Sequence, residues 1–564
     1  MQSGTTGNST IYANKTSALV KVVTGFANST SSKGHIAYRS NTGVNLLGSP
    51  KERIWNGTIW SSSETEMPDA GSNIRWIRTV YSPLSSRYYE NIVVTLSADG
   101  YLDAYIWSGY SWSVTNNIGY VGTTANNYRA FDIVYEKTSG RGILVYGVSS
   151  TNVTRDLAYK IWDGTQWSSE YYINDDGHST NIQIWWVALA AKPKSGSNEI
   201  GLLYIDNTDS NADAFIWDGS NWGNRHELTG TVSINGEESI ALAYEQTSAN
   251  LMIVAGEGSL IRWNRWTVSG WGTSATFDIN TGSALAMNWL SLKADPASNR
   301  SLLVSVDGAS ALCTAHWDGT TWTVDATHDT AVNSNAARCA DSDWEPTGTK
   351  ALLVWGTASG SVSYKTWSVA GGWSGASTVS NAGTHPWIQL IRNPRAVTGD
   401  VKIIGATLNS NQDIFGFKWD GTTLTFQATA FTIITTSTAY ECYHIAFRHF
   451  EMLAYSKTLK IVNTITTNWI ANLTLYQSSN IGRLSIATLN FQNVSTSSQI
   501  AIRAGTLTKS AGPQYNLAGS ATIYISIDDL YSTASGTSYL YIYLRILYPS
   551  TRTYSLYIIT FEIS

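Results

Sequence analysis

Ile161-Trp162-Asp163-Gly164-Thr165-Gln166-Trp167 is one copy of a pattern that recurs along the chain, and its reading decides the fold. Asp-Gly between two runs of β-formers supplies the positive φ that a tight hairpin turn requires, so each copy is a turn joining two strands. The copies are marked by Trp55 and Trp60, Trp107 and Trp112, Trp162 and Trp167, Trp217 and Trp222, Trp266 and Trp271, Trp317 and Trp322, Trp367 and Trp373, and Trp419 with Leu424 in the second place. Successive first tryptophans stand 49 to 55 residues apart, a period that signals propellers or arrays. The paired rings are read as packing between neighbouring repeats, with stacking on a sugar as the minor alternative.

Working outward from the hairpin, each repeat carries two more strand signals. In the second repeat these are Ile74-Arg75-Trp76-Ile77-Arg78-Thr79-Val80 and Ile92-Val93-Val94-Thr95-Leu96. Pro83, Pro193, Pro296, Pro346 and Pro394 mark the turn after the first strand, where proline cannot be in a central strand. Runs such as Leu251-Met252-Ile253-Val254-Ala255 lack alternation, as strands buried on both faces do. Four strands per unit predict a β-propeller, which leaves only short protected edges. Eight blades are expected, with seven as the alternative because Leu424 makes the last copy degenerate. Tyr443-His444-Ile445-Ala446-Phe447-Arg448 resembles His35-Ile36-Ala37-Tyr38-Arg39, so residues 436–456 are candidates to close the first blade.

The expected organisation is a polar extension over 1–17, an all-β propeller over 18–435 and a C-terminal β-sandwich over 436–564. The last rests on period-2 alternation, as in Leu540, Ile542, Leu544 and Ile546.

Charged residues make up 14% of the chain, with a formal net charge of -5 and no basic block, which argues against a nucleic-acid partner. No apolar run is long enough for a membrane-spanning helix. Of the three cysteines, Cys313 and Cys339 fall in adjacent repeats and are the candidates for a disulfide, with buried free thiols as the blander reading. Glycosylation sequons stand at Asn8, Asn14, Asn28, Asn56, Asn152, Asn299, Asn472 and Asn493.

The Trp-Asn/Asp-Gly-X-X-Trp hairpin, with strands such as Phe131-Asp132-Ile133-Val134-Tyr135-Glu136 and Ala241-Leu242-Ala243-Tyr244-Glu245, resembles repeats of large, mostly uncharacterised extracellular proteins of archaea and bacteria. It is less similar to the sialidase hairpin, Ser-X-Asp-X-Gly-X-X-Trp. The resemblance covers residues 35–425, implies a cell-surface β-protein and brings no catalytic residue with it.

No phosphate loop, nucleophile elbow or His-Glu-X-X-His is present. Asp103 and Asp213 precede their tryptophans by four residues, and Asp156 and Asp413 by six, which reads as a structural position reused in several blades. Asn174-Asp175-Asp176-Gly177 reads as a turn, with calcium as the alternative. Neither catalysis nor a cofactor or metal is expected. The leading expectation is an extracellular structural subunit of a fibre, sheath or surface layer. Copies would join head to tail by exchange of the strand Ser17-Ala18-Leu19-Val20-Lys21-Val22-Val23, which is otherwise an ordinary first strand of blade one. The second reading is a carbohydrate-binding or adhesive module using aromatic residues on the propeller face, and the third a glycan-active hydrolase or lyase.

Overall fold

The computed structural model describes residues 34–447 with their side chains, apart from loop segments of which 41–45, 150–154, 174–182, 395–399 and 428–437 are the longest. Outside that span it describes the backbone of the strands alone.

The chain divides into two compact units, Ser32–His449 and Met1–Ser31 with Phe450–Ser564. The first is an eight-bladed all-β propeller. Its blades are antiparallel sheets of four main strands, ordered from the inner strand outward in chain order in every blade but the first. Blade one takes its inner strand from the far end of the repeat region. Tyr443–Phe447 pairs with Gly34–Arg39, Ile36 opposite Ile445. The two ends of the ring are thereby fastened by backbone hydrogen bonds, as the likeness between those two segments predicts.

In blade three the inner strand Phe131–Tyr135 is followed by Gly142–Gly147, Leu157–Trp162 and Tyr171–Ile173. Second strands are buried along their length, as in Gly142–Gly147, because a sheet lies on each side of them. The tryptophans of each hairpin face one another across the turn: Trp217 pairs with Trp222 and Trp317 with Trp322. Their rings meet at 5.5 and 5.7 Å, and the turn glycines Gly219 and Gly319 have φ of 102° and 108°.

The second unit has a ten-stranded sheet and a separate two-stranded pair. Ala18–Val23 lies in that sheet, Leu19 opposite Val462 of Met452–Asn463. This corrects the sequence-based boundaries at both ends. Residues 18–23 belong to neither blade one nor the propeller, and of 436–456 it is Tyr443–Phe447 that closes the ring. Ser17 lies outside the described residues. Unlike Gly34–Arg39, Ala18–Val23 has no counterpart in the repeat pattern that would tie it to Met452–Asn463.

Candidate functional site

Even and odd blades build the axis differently. Near the start of the inner strand, blades two, four, six and eight each carry a buried tryptophan: Trp76, Trp186, Trp289 and Trp387. These form a closed ring of edge-to-face contacts, with centroids 5.5 Å apart for Trp76 and Trp186, 5.4 Å for Trp186 and Trp289, 5.4 Å for Trp289 and Trp387, and 5.8 Å for Trp387 and Trp76. Edge-to-face packing sets the positive edge of each ring on the negative face of the next.

Odd blades carry a charge two residues before the inner strand, alternating in sign round the ring: Arg129, Glu238, Arg338 and Glu441. Arg129 pairs with Glu238 and Arg338 with Glu441, which also accepts from Arg78 Nη1 at 3.1 Å. Burial works against the Glu441 carboxylate, yet Arg338 and Arg78 hold it below the usual carboxylate range. The backbone N–H groups of Val187, Leu290 and Ile388, each following a ring tryptophan, donate to the carbonyls of Arg129, Glu238 and Arg338. The axial charges are therefore largely spent on one another.

The hairpin tryptophans serve packing. Trp55, Trp162, Trp217, Trp317, Trp367 and Trp419 are buried, and Trp107 and Trp266 half-buried. The indole N–H groups of Trp217, Trp317 and Trp419 donate to Glu136, Glu245 and Glu345 of the preceding blade at 2.6, 2.8 and 2.9 Å.

The carboxylates singled out from sequence do not converge. Asp103 accepts from the backbone N–H of Asn117 at 2.8 Å, and Asp213 pairs with Arg225 at 3.1 Å, each inside its own blade. Burial pushes Asp103 up to about 6. Among the described residues no group of three His, Cys, Asp or Glu could hold a metal ion, and no helix is long and apolar enough to cross a membrane. Asn174 to Gly177 lie outside the described residues.

Cys313 and Cys339 are both free, which corrects the disulfide candidate. Cys313, on the third strand of blade six, approaches Thr327 Oγ1 at 3.4 Å, while Cys339, just before the inner strand of blade seven, donates to the Ser334 carbonyl at 3.1 Å. Burial raises both thiols, Cys339 to about 12. Among the sequons, Asn56 is exposed in its hairpin turn, and Asn299 is half-buried with Oδ1 taken by the Ser248 N–H. Asn8 and Asn472 lie on strands of the second unit. Asn14, Asn28, Asn152 and Asn493 lie outside the described residues.

What the sequence did not single out is the rim of blades two and three. Among the described residues the exposed aromatic rings are Tyr101, Tyr120, Tyr171 and Tyr172, all on the third or outer strands of these two blades. Tyr101 and Tyr120 pair across their strands with centroids 4.7 Å apart. Tyr171 and Tyr172 are consecutive on a strand, so they point to opposite faces of blade three. Tyr171 stacks on Tyr159, which packs against Trp217 and Trp222 of blade four.

Tyr172 stands opposite Ala158, which in turn lies opposite Tyr146, so it shares the blade-two side with Tyr146. Gly119 of blade two packs so closely there that an added Cβ would come within 2.7 Å of the Tyr146 ring. Glu170 accepts from the Tyr146 hydroxyl through Oε2 and from the Tyr172 hydroxyl through Oε1. The exposed Arg155 lies with its guanidinium carbon 4.6 Å from the Tyr172 ring centroid. This patch on blade three groups an exposed aromatic ring, a carboxylate and a guanidinium, groups suited to a polyhydroxylated ligand: ring area for C–H faces and charged groups for hydroxyls.

No protein-family model and no curated protein matches the chain. Among solved structures it is similar to the BP39L lectin of Burkholderia pseudomallei, at 10% identity over 63% of this chain and 99% of that one, with a TM-score of 0.44. The SapL1 lectin in complex with α-methyl fucoside is 15% identical over 64% of this chain and 97% of its own, TM-score 0.36. A six-bladed fungal lectin of Aleuria aurantia is 15% identical over 64% and 100%, TM-score 0.29. The likeness is one of fold, and the Aleuria ring is two blades smaller than the eight found here.

Proposed function

We propose that this chain is a non-enzymatic, extracellular carbohydrate-binding propeller whose ligand docks on the outer edge of blade three, on its blade-two side. The observation that carries this reading is the exposed Tyr172 ring on the blade-two side of blade three, with Glu170 on its hydroxyl and the exposed Arg155 beside its ring. A carbohydrate exposes both C–H faces and hydroxyls, and Tyr172, Glu170 and Arg155 offer partners to both.

The test is a glycan array followed by calorimetry, with α-methyl fucoside among the probes because a compared lectin holds it. Tyr172→Ala is expected to weaken binding at least ten-fold while leaving the unfolding midpoint within error. Binding unchanged in Tyr172→Ala, or an array with no bound glycan, would overturn the reading.

Surface assembly is the second reading, favoured by one observation: Asn8–Tyr12 and Ala18–Val23 extend a sheet whose remaining strands come from the far end of the chain. The same register offered by a neighbouring copy would link subunits, each receiving a strand into a C-terminal β-sandwich. Electron microscopy with and without residues 1–25 tests it. Filaments lost on truncation support assembly, and single particles in both samples remove it.

A further inference from the structure

The patch of Tyr172, Glu170 and Arg155 on blade three carries a preference that follows from how its charged groups are already used, and it rests on the carbohydrate-binding reading. Glu170 is engaged at both oxygens by the hydroxyls of Tyr146 and Tyr172. It is half-buried and serves to fix those two rings. Arg155 is in the opposite situation. It is exposed, its guanidinium is held over Tyr172, and no carboxylate pairs with it among the described residues. Stacking on an aromatic ring orders a guanidinium without consuming all of its five N–H donors. A pre-placed planar fork of donors is complementary to a carboxylate, which it can bind through two parallel hydrogen bonds.

We propose that this patch takes an acidic carbohydrate, a sugar bearing a carboxylate, with that carboxylate on Arg155 and the sugar ring against the exposed part of Tyr172. Glu170 contributes by holding Tyr172 in place through its hydroxyl. Lysine could not substitute fully, because an ammonium offers a point charge without the planar fork.

Two probes with the same sugar backbone, one charged and one neutral, decide the matter: trigalacturonate and its fully methyl-esterified form, titrated into the whole chain at low and at physiological salt. The acid form is expected to bind at least ten-fold tighter than the ester, with the advantage shrinking as salt rises. Arg155→Gln should abolish the difference, Arg155→Lys should restore part of it, and Tyr172→Ala should weaken both probes. Equal binding of acid and ester, or a preference that survives Arg155→Gln, would overturn this proposal while leaving the carbohydrate-binding reading intact. Binding of neutral array glycans with neither probe bound would do the same. Failure of every probe and every array glycan removes both.

Discussion

Trp217 Nε1 donates to Glu136 Oε1 at 2.6 Å across the boundary between blades three and four, and the other carboxylate oxygen is held by Arg141 Nε at 2.6 Å. Glu136 is fully buried, so this bond tethers the hairpin of one blade to the inner strand of its neighbour. The same arrangement recurs with Trp317 and Glu245, and with Trp419 and Glu345. The tryptophan of the recurring motif therefore has a polar role besides its ring area: it neutralises the cost of a carboxylate buried between sheets.

Glu136→Ala should accordingly destabilise the propeller by about 3 kcal/mol, because it leaves an indole N–H without its acceptor and Arg141 without its carboxylate. Glu136→Gln, which keeps one acceptor, should cost less. Denaturant midpoints of the two variants, read by tryptophan fluorescence, give the comparison, and equal loss in both would contradict the hydrogen-bonding account.

The axial ring makes a prediction about coupling. Trp76→Phe and Trp186→Phe each disturb one shared edge-to-face contact and one contact to another ring member. Their effects should fail to add by about 0.5–1.5 kcal/mol, the range seen for aromatic pairs. Trp186→Ala should cost about 3–5 kcal/mol, since a fully packed indole leaves a large cavity. Strict additivity of the two phenylalanine variants would show that the four rings do not act as one layer.

That ring also explains what was and was not legible in the sequence. The Asp163-Gly164 turn and its flanking tryptophans are local signals, so repeat length, strand pairing and blade number follow from them. The likeness of Tyr443–Phe447 to Gly34–Arg39 pointed to the closure, although the two prove to be neighbouring strands of one blade rather than equivalent positions of two repeats. The alternation between blades was hidden, since the hairpin pattern is common to all eight while Trp76, Arg129, Trp186 and Glu238 sit at the start of the inner strands. The patch around Tyr172 was hidden for another reason. Tyrosines number 31, and which of them are exposed depends on strand parity and on how far each outer strand runs past its neighbour.

The hairpin turn itself yields a sharp test. Gly319 has φ of 108°, a conformation that costs a β-carbon dearly, and the Asp318 carboxylate accepts the N–H groups of Thr320 and Thr321. Gly319→Ala should lose about 1–2 kcal/mol, whereas Asp318→Asn should be near neutral because an amide oxygen accepts the same bonds. Thermal melts of both variants suffice, and a tolerated alanine would mean the turn can change type.

Two buried groups give stability opposite dependences on pH. His385 is buried with Nδ1 beside Thr407 Oγ1 at 3.0 Å, and burial lowers it from 6.5 to about 4. Between those values the unfolded chain binds more protons, so the stability His385 supports is complete above pH 6.5 and is lost as pH falls through about 4. Asp103 is the reverse, since burial raises it from 3.8 to about 6. Its protonated folded form contributes stability that is complete below pH 3.8 and is lost as pH rises through about 6. Each contribution is up to about 3 kcal/mol from the size of the shift. In the wild type the two slopes oppose one another between pH 4 and 6, so single variants must tilt the curve in opposite senses. His385→Gln removes the term that favours higher pH, and its midpoint should fall more with rising pH than that of the wild type. Asp103→Asn keeps an acceptor for the Asn117 N–H but removes the term that favours lower pH, so its midpoint should climb more steeply. Parallel curves for all three proteins would mean that both sites are open enough to water to titrate as they do in the unfolded chain.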